Sequence, residues 1–192
     1  MSIANRAAVL LASAAVLLWS PALRADEAAW EALRQGGRVV LLRHALAPGT
    51  GDPPGFRLGD CRTQRNLSAE GRDQARAIGE AFRRRGIPRD RVFSSRWCRC
   101  RETAALAFGD YQAHPALDSF FANPAREGEK TAALRQLLGE HPPGPGNLVL
   151  VTHQVNITAF TGVVPAPGEM VLVKLSPQGT IESLFRLDPV RP

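Results

Sequence analysis

Val39-Val40-Leu41-Leu42 is a run of four aliphatic residues with no polar alternation, and it ends in Arg43-His44 before a loop rich in proline and glycine. Such a run fits a central strand covered on both faces, with its first charged residues at the C-terminal end. Residues 148–153, Leu-Val-Leu-Val-Thr-His, repeat the pattern and again end in a histidine, His153. Residues 91–95 read as another strand. Residues 170–175 and 180–187 read as two more, separated by the turn signal Ser176-Pro177-Gln178-Gly179.

Between these strands the polar pattern changes to helical spacing. Residues 26–35 have an acidic start, apolar positions at Ala29, Trp30 and Leu33, and the stop Gly36-Gly37. Ser68 is a suitable N-cap for a helix to about Arg85, with Ala75, Ile78 and Phe82 on one face and arginines largely on another; Gly86 and Pro88 end it. Residues 130–138 predict a further helix. Residues 47–60, with three prolines and four glycines, predict a loop beside the first strand end, and residues 142–146 a surface loop. Strands alternating with helices predict an α/β fold, a three-layer sandwich with a mostly parallel central sheet.

Length and composition then bound the class. A chain of 192 residues with 44% hydrophobic and 22% charged residues suits one domain with one cleft. Residues 1–25 are read apart from it, as a secretory signal: Arg6, an apolar run over 7–19, and small residues at Ala22 and Ala25 that suit cleavage after either. About 13 apolar residues fall short of the ~20 that span a bilayer, so no stable membrane anchor is expected after cleavage. A single catalytic domain over 26–192 in a periplasmic or other extracytoplasmic location is the resulting expectation. The formal charge of +6 falls to +4 once Arg6 and Arg24 are removed. No concentrated basic stripe or nucleic-acid motif accompanies it, so no nucleic-acid partner is expected.

Cys61, Cys98 and Cys100 leave room for one disulfide and one thiol in an exported chain. A bridge from Cys61 to either Cys98 or Cys100 would close a loop of about 40 residues, worth roughly 4 kcal/mol. Cys-x-Cys without a nearby histidine pair does not match zinc spacing, and no metal site is expected.

The candidate chemistry lies at three strand ends: Arg43 and His44, the segment Ser94 to Arg99, and His153. In a parallel sheet these ends lie side by side, where ligands of such sheets bind. Two histidines and several arginines gathered there repel one another when empty, and a dianionic phosphoryl group would relieve that repulsion.

At this point four blocks resemble one family. Leu41-Leu42-Arg43-His44-Ala45 looks like the Arg-His-Gly motif of the histidine phosphatase superfamily, the phosphoglycerate-mutase-like fold, with Ala45 in place of the glycine. Asn66-Leu67-Ser68 with Gly71, Gln74 and Ala75 is similar to the helix after the family's first strand. Val92 to Ala104, with its Ser94-Ser95, Arg99 and Glu102-Thr103-Ala104, resembles the second block, and Leu150-Val151-Thr152-His153 the third. The likeness covers about residues 38–187, and its small extracytoplasmic phosphatases are the nearest branch in kind.

The resemblance implies roles. His44 would take the phosphoryl group as phosphohistidine, and Arg43, Arg99 and His153 would bind the phosphoryl oxygens. Arg65, Asn66 and Gln154 would contact substrate. Asp118 is the positional match for the leaving-group acid and Glu127 the second candidate. The family's other branch has an acid after the second histidine, where this chain has Gln154. The implied activity is hydrolysis of a phosphomonoester, a small-molecule or glycan phosphate, without metal or organic cofactor. Phosphorylated envelope sugars are one substrate class by analogy. A non-catalytic phosphate-binding envelope protein that keeps the cleft is the competing reading. Oligomeric state is not legible.

Overall fold

The apolar run 39–42 is fully buried, and alternate residues feed opposite faces of one sheet. The structure, a computed structural model, describes residues 21–190. Their helices and strands, in chain order, are α1 (Pro21–Arg34), β1 (Val39–Arg43), α2 (Ala69–Arg84), β2 (Arg89–Ser94), α3 (Cys98–Phe108), β3 (Gln112–Ala113), α4 (Glu127–Glu140), β4 (Asn147–Thr152), α5 (Gln154–Thr161), β5 (Met170–Leu175) and β6 (Ile181–Leu187). The sheet has the order β3-β2-β4-β1-β5-β6. The pairs β1–β4, β2–β4 and β2–β3 are parallel, whereas β5 joins β1, and β6 joins β5, antiparallel.

Three layers follow from the alternation of side chains in the strands. On one face Val40, Leu42, Val92, Val149 and Val151 pack with Trp30 and Leu33 of α1, Ile78 and Phe82 of α2, and Ala104 and Phe108 of α3. On the other, Val39, Leu41, Phe93, Leu148 and Leu150 pack with Leu134 and Leu137 of α4 and Ile157 and Phe160 of α5. Each fully buried Leu, Ile or Phe contributes on the order of 1.5–3 kcal/mol relative to an exposed one. Truncation of Leu41 or Leu150 would therefore be costly.

Helix α2 starts where Ser68 caps it, its side chain accepting from the Gly71 amide at 3.1 Å. Two glycines let α2 approach its neighbours. A Cβ at Gly71 would lie 2.0 Å from the Leu46 carbonyl oxygen, and one at Gly79 would lie 2.1 Å from that of Ala107 in α3. The first contact presses the helix against the chain leaving β1.

Helix α1 begins five residues before the expected start, because Pro21 suits a first helical turn and Leu23, Arg24 and Ala25 continue it. The expected signal falls mostly on residues 1–20, outside the described residues. No helix among the described residues is long and apolar enough to cross a membrane. The pattern did not disclose the two-residue strand β3 or helix α5, whose short sequence Gln-Val-Asn-Ile-Thr-Ala-Phe-Thr mixes β-branched residues with weak helix formers. Cys61 is bonded to Cys98, and Cys100 is a buried free thiol. Two positions along a helix turn a side chain by about 200°. Cys98 thus meets the loop while Cys100 points into the core.

Candidate active site

The sheet order brings the carboxyl ends of β2, β4 and β1 side by side. A cavity of about 400 Å³ opens there, lined by Arg43, His44, Asp52, Arg65, Trp97, Arg99, His153 and Gln154, with Phe56, Phe121 and Val155 among its apolar residues. His44 and His153, 2% and 3% exposed, follow paired strand residues, and their ring centroids are 5.5 Å apart.

His44 Nδ1 lies 2.8 Å from the Ala45 carbonyl oxygen, and Arg99 Nε lies 3.2 Å from its Nε2. Arginine only donates, so Nε2 carries the lone pair and Nδ1 the proton. Burial first, then the Arg99 charge, lowers the His44 pKa to about 3. The ring is neutral at ordinary pH, as a nucleophile must be.

His153 is tethered the other way. Its Nε2 is 2.9 Å from Ser95 Oγ, which donates to Asp118 Oδ1 at 3.3 Å, and its Nδ1 faces Arg99 Nη2 at 3.4 Å. With Arg99 as donor, Nε2 carries the proton and the chain runs His153 to Ser95 to Asp118. Burial, then Arg99, holds His153 well below the usual imidazole value.

Arg99, itself 3% exposed, is the hub. Besides both histidines it grips Asp52, Nη1 to Oδ1 at 2.8 Å and Nη2 to Oδ2 at 3.2 Å. Asp52 also accepts from Trp97 Nε1 at 3.0 Å and from the Arg65 amide at 3.2 Å. Arg43 donates from Nη1 to the Pro165 carbonyl at 2.8 Å, while its Nε is buried and has no acceptor among the described residues. Burial and then Arg99 hold both Arg43 and Arg65 below the ordinary arginine value. Three guanidinium groups thus face one carboxylate in the cleft.

Several expected residues lie elsewhere than the sequence suggested. Asp118 is buried beside the cleft and does not line it. Arg96 binds its Oδ2 through the guanidinium and its Oδ1 through the backbone amide, so neither oxygen is turned toward the cavity. Glu127 sits in the exposed first turn of α4, also outside the lining. Asn66 instead ties the 61–64 turn, donating to the carbonyls of Cys61 and Gln64, and borders a separate surface pocket. Arg65 does line the cleft, but its guanidinium also binds the Gly51 and Ala47 carbonyls and so pins the loop. Gln154 lines the cleft with its amide donating to Thr158. Asp52 went unrecognised, since nothing in the periodicity of a Pro/Gly-rich loop marks an acid that folds back onto Arg99.

Cys100 Sγ lies 3.5 Å from His153 Nε2, and burial pushes its thiol up to about 12. It is a packing group rather than a thiolate nucleophile. Among the described residues no group of three or more His, Cys, Asp or Glu side chains is placed to hold a metal ion.

A comparison with family models matches residues 39–122 to the histidine phosphatase superfamily, branch 1. The match includes Arg43, His44 and Arg99. No curated protein matches the chain. Among solved structures, the chain is similar to a putative phosphohistidine phosphatase SixA from Nakamurella multipartitia, with 19% identity, a TM-score of 0.57, and 80% of this chain and 96% of that one covered. It is also similar to a putative alpha-ribazole-5'-P phosphatase from Escherichia coli, with 18% identity, a TM-score of 0.56, and 78% and 96% covered. A third is the protein histidine phosphatase SixA complexed with tungstate, with 16% identity, a TM-score of 0.54, and 77% and 96% covered. At these identities the likeness is one of fold, and it agrees with the layers and sheet order described above. The residues matched to the histidine phosphatase superfamily, Arg43, His44 and Arg99 among them, meet His153 around one cationic cleft.

Proposed function

We propose that the protein is an exported phosphatase that hydrolyses a phosphomonoester through a phosphohistidine on His44. The observation that carries this reading is a neutral, buried imidazole whose Nε2 lone pair faces Arg99, in a cleft where three guanidinium groups meet one carboxylate. A phosphoryl group takes Arg99 Nε away from His44 and gives the buried Arg43 Nε an acceptor. His44 Nε2 then attacks phosphorus in line, the ester bond breaks, and water cleaves the P–N bond in a second displacement. The arginines stabilise charge on the transferring oxygens at both steps.

The apolar residues Phe56, Trp97, Phe121 and Val155 in the cleft lining support a leaving group with a ring face, such as a sugar. The leader-like residues 1–25 and the Cys61–Cys98 disulfide support export. Phosphorylated envelope sugars fit both features, and a protein phosphohistidine, the group named for the SixA structure, is the comparison substrate to include.

Purified protein incubated with 4-nitrophenyl phosphate tests the core of the reading. Turnover that is lost in His44→Ala, with an acid-labile, base-stable phosphoryl adduct on His44 after rapid quench, is the expected outcome. Saturable phosphate binding without turnover would make the protein a binder instead, and an adduct on serine or cysteine would refute the mechanism. A panel of sugar phosphates, nucleotides and phosphohistidine peptides then ranks substrates.

A further inference from the structure

Within the phosphatase reading, one group lacks an assignment: the acid that protonates the leaving oxygen. We propose that Asp52 is that acid, and that it also serves as the base for the water that cleaves the phosphohistidine. Asp52 is the only carboxylate among the described residues that line the cleft. Asp118 is turned toward Arg96 and Ser95, and Glu127 lies outside the lining.

Position favours it. Asp52 and His44 contact different atoms of the same guanidinium, Asp52 at Nη1 and Nη2 and His44 at Nε. A phosphoryl group seated on Arg99 therefore lies close to both His44 and Asp52, the nucleophile and the acid that the displacement needs. Trp97 Nε1 and the Arg65 amide hold the carboxylate independently of Arg99, so it stays in the cleft when the arginine is taken.

Substrate itself displaces the group. Asp52 occupies the two-pronged seat on Arg99 that a phosphoryl group needs. A dianion competes for that seat with more charge. The carboxylate it displaces is released from the arginine and keeps its contacts to Trp97 Nε1 and the Arg65 amide. In the first step His44 Nε2 bonds to phosphorus, the P–O ester bond breaks, and the Asp52 proton passes to the departing oxygen, which leaves as an alcohol. In the second, Asp52 takes a proton from water as that oxygen bonds to phosphorus. The P–N bond then breaks, which restores neutral His44 and protonated Asp52.

The test compares leaving groups in Asp52→Asn, whose amide keeps the shape of the carboxylate. For an alkyl phosphate such as glycerol phosphate, kcat/KM is expected to fall about 10²–10⁴-fold, the range for loss of a general acid. For 4-nitrophenyl phosphate the first nitrophenol burst falls much less. Steady-state release slows behind it and phosphohistidine accumulates, because the base for the second step is gone. Asp52→Glu is expected to regain part of the alkyl phosphate activity. Equal losses in the aryl burst and the alkyl kcat/KM would overturn the proposal, as would a gain with both substrates, which would make Asp52 only a plug in front of Arg99. A wild-type protein without aryl phosphate turnover would defeat the phosphatase reading itself, a result distinct from either.

Discussion

The two strand ends that deliver the histidines differ in one respect, the atom by which each ring is tied down. His44 is held through Nδ1 by the carbonyl of the next residue, and His153 through Nε2 by a side chain from another strand end, Ser95. The first tether is local and turns Nε2 into the cleft. The second is long-range and turns Nδ1 toward Arg99. Both rings are buried, lie near Arg99 and have lowered pKa values, so burial and charge do not separate their roles. The difference teaches that the tautomer is set by the hydrogen bond on the far nitrogen, which leaves the lone pair on Nε2 in His44 and on Nδ1 in His153.

The strongest way to break the comparison is to remove the assisting ring. His153→Ala is expected to slow turnover of 4-nitrophenyl phosphate about 10²–10³-fold, the usual cost of one stabilising contact to a transition state. The phosphoryl adduct on His44 should still form. An adduct lost as completely as in His44→Ala would mean that the two rings act as one nucleophilic unit.

Acid stability probes what the rings share. Between about pH 3 and 6.5 the unfolded chain binds a proton at His44 that the native state does not. Stability is therefore full above pH 6.5 and falls on acidification, by about 1.4 kcal/mol per pH unit for each such ring. Denaturant midpoints measured from pH 7 to 5 should show this slope in the wild type and a shallower one in His44→Ala. Equal slopes would indicate that the native ring is protonated.

The smallest effect sharpens the long-range tether. Ser95→Ala removes the hydroxyl between His153 and Asp118, a loss of about 1 kcal/mol or roughly fivefold in kcat if it only orients the ring. A loss as large as that of His153→Ala would give Ser95 a direct part in the chemistry.

The same contrast between local and distant ties explains what the sequence made legible. Val39 to His44 announces a buried strand and a charged end by composition alone, and His153 does the same, so both histidines were visible as a pair. Arg99 was visible through its neighbours in the second block. The three-layer fold was readable because the strand runs are apolar on both faces and the helices carry clear caps, as at Ser68. The placements of Asp52 and Asp118 were not legible, for one reason. Whether an acid faces the cleft depends on partners far along the chain, Arg99 for the first and Arg96 for the second. The choice of Cys98 over Cys100 likewise depended on where α3 begins, which fixes the side that each sulfur faces.

The pairing of β1 with β4 has a further consequence. Arg43 is in register with Thr152, and the His44 amide still donates to the Thr152 carbonyl at 3.0 Å, so the ladder continues to His44 itself. Neighbouring strands are held about 4.8 Å apart by their hydrogen bonds. The spacing of the two imidazoles is thus gauged by the sheet, while residues 49–52 and 119–122, which form much of the cavity wall, lie outside it. Loop exchange can therefore reshape the cleft wall while the gap between the two imidazoles keeps its width.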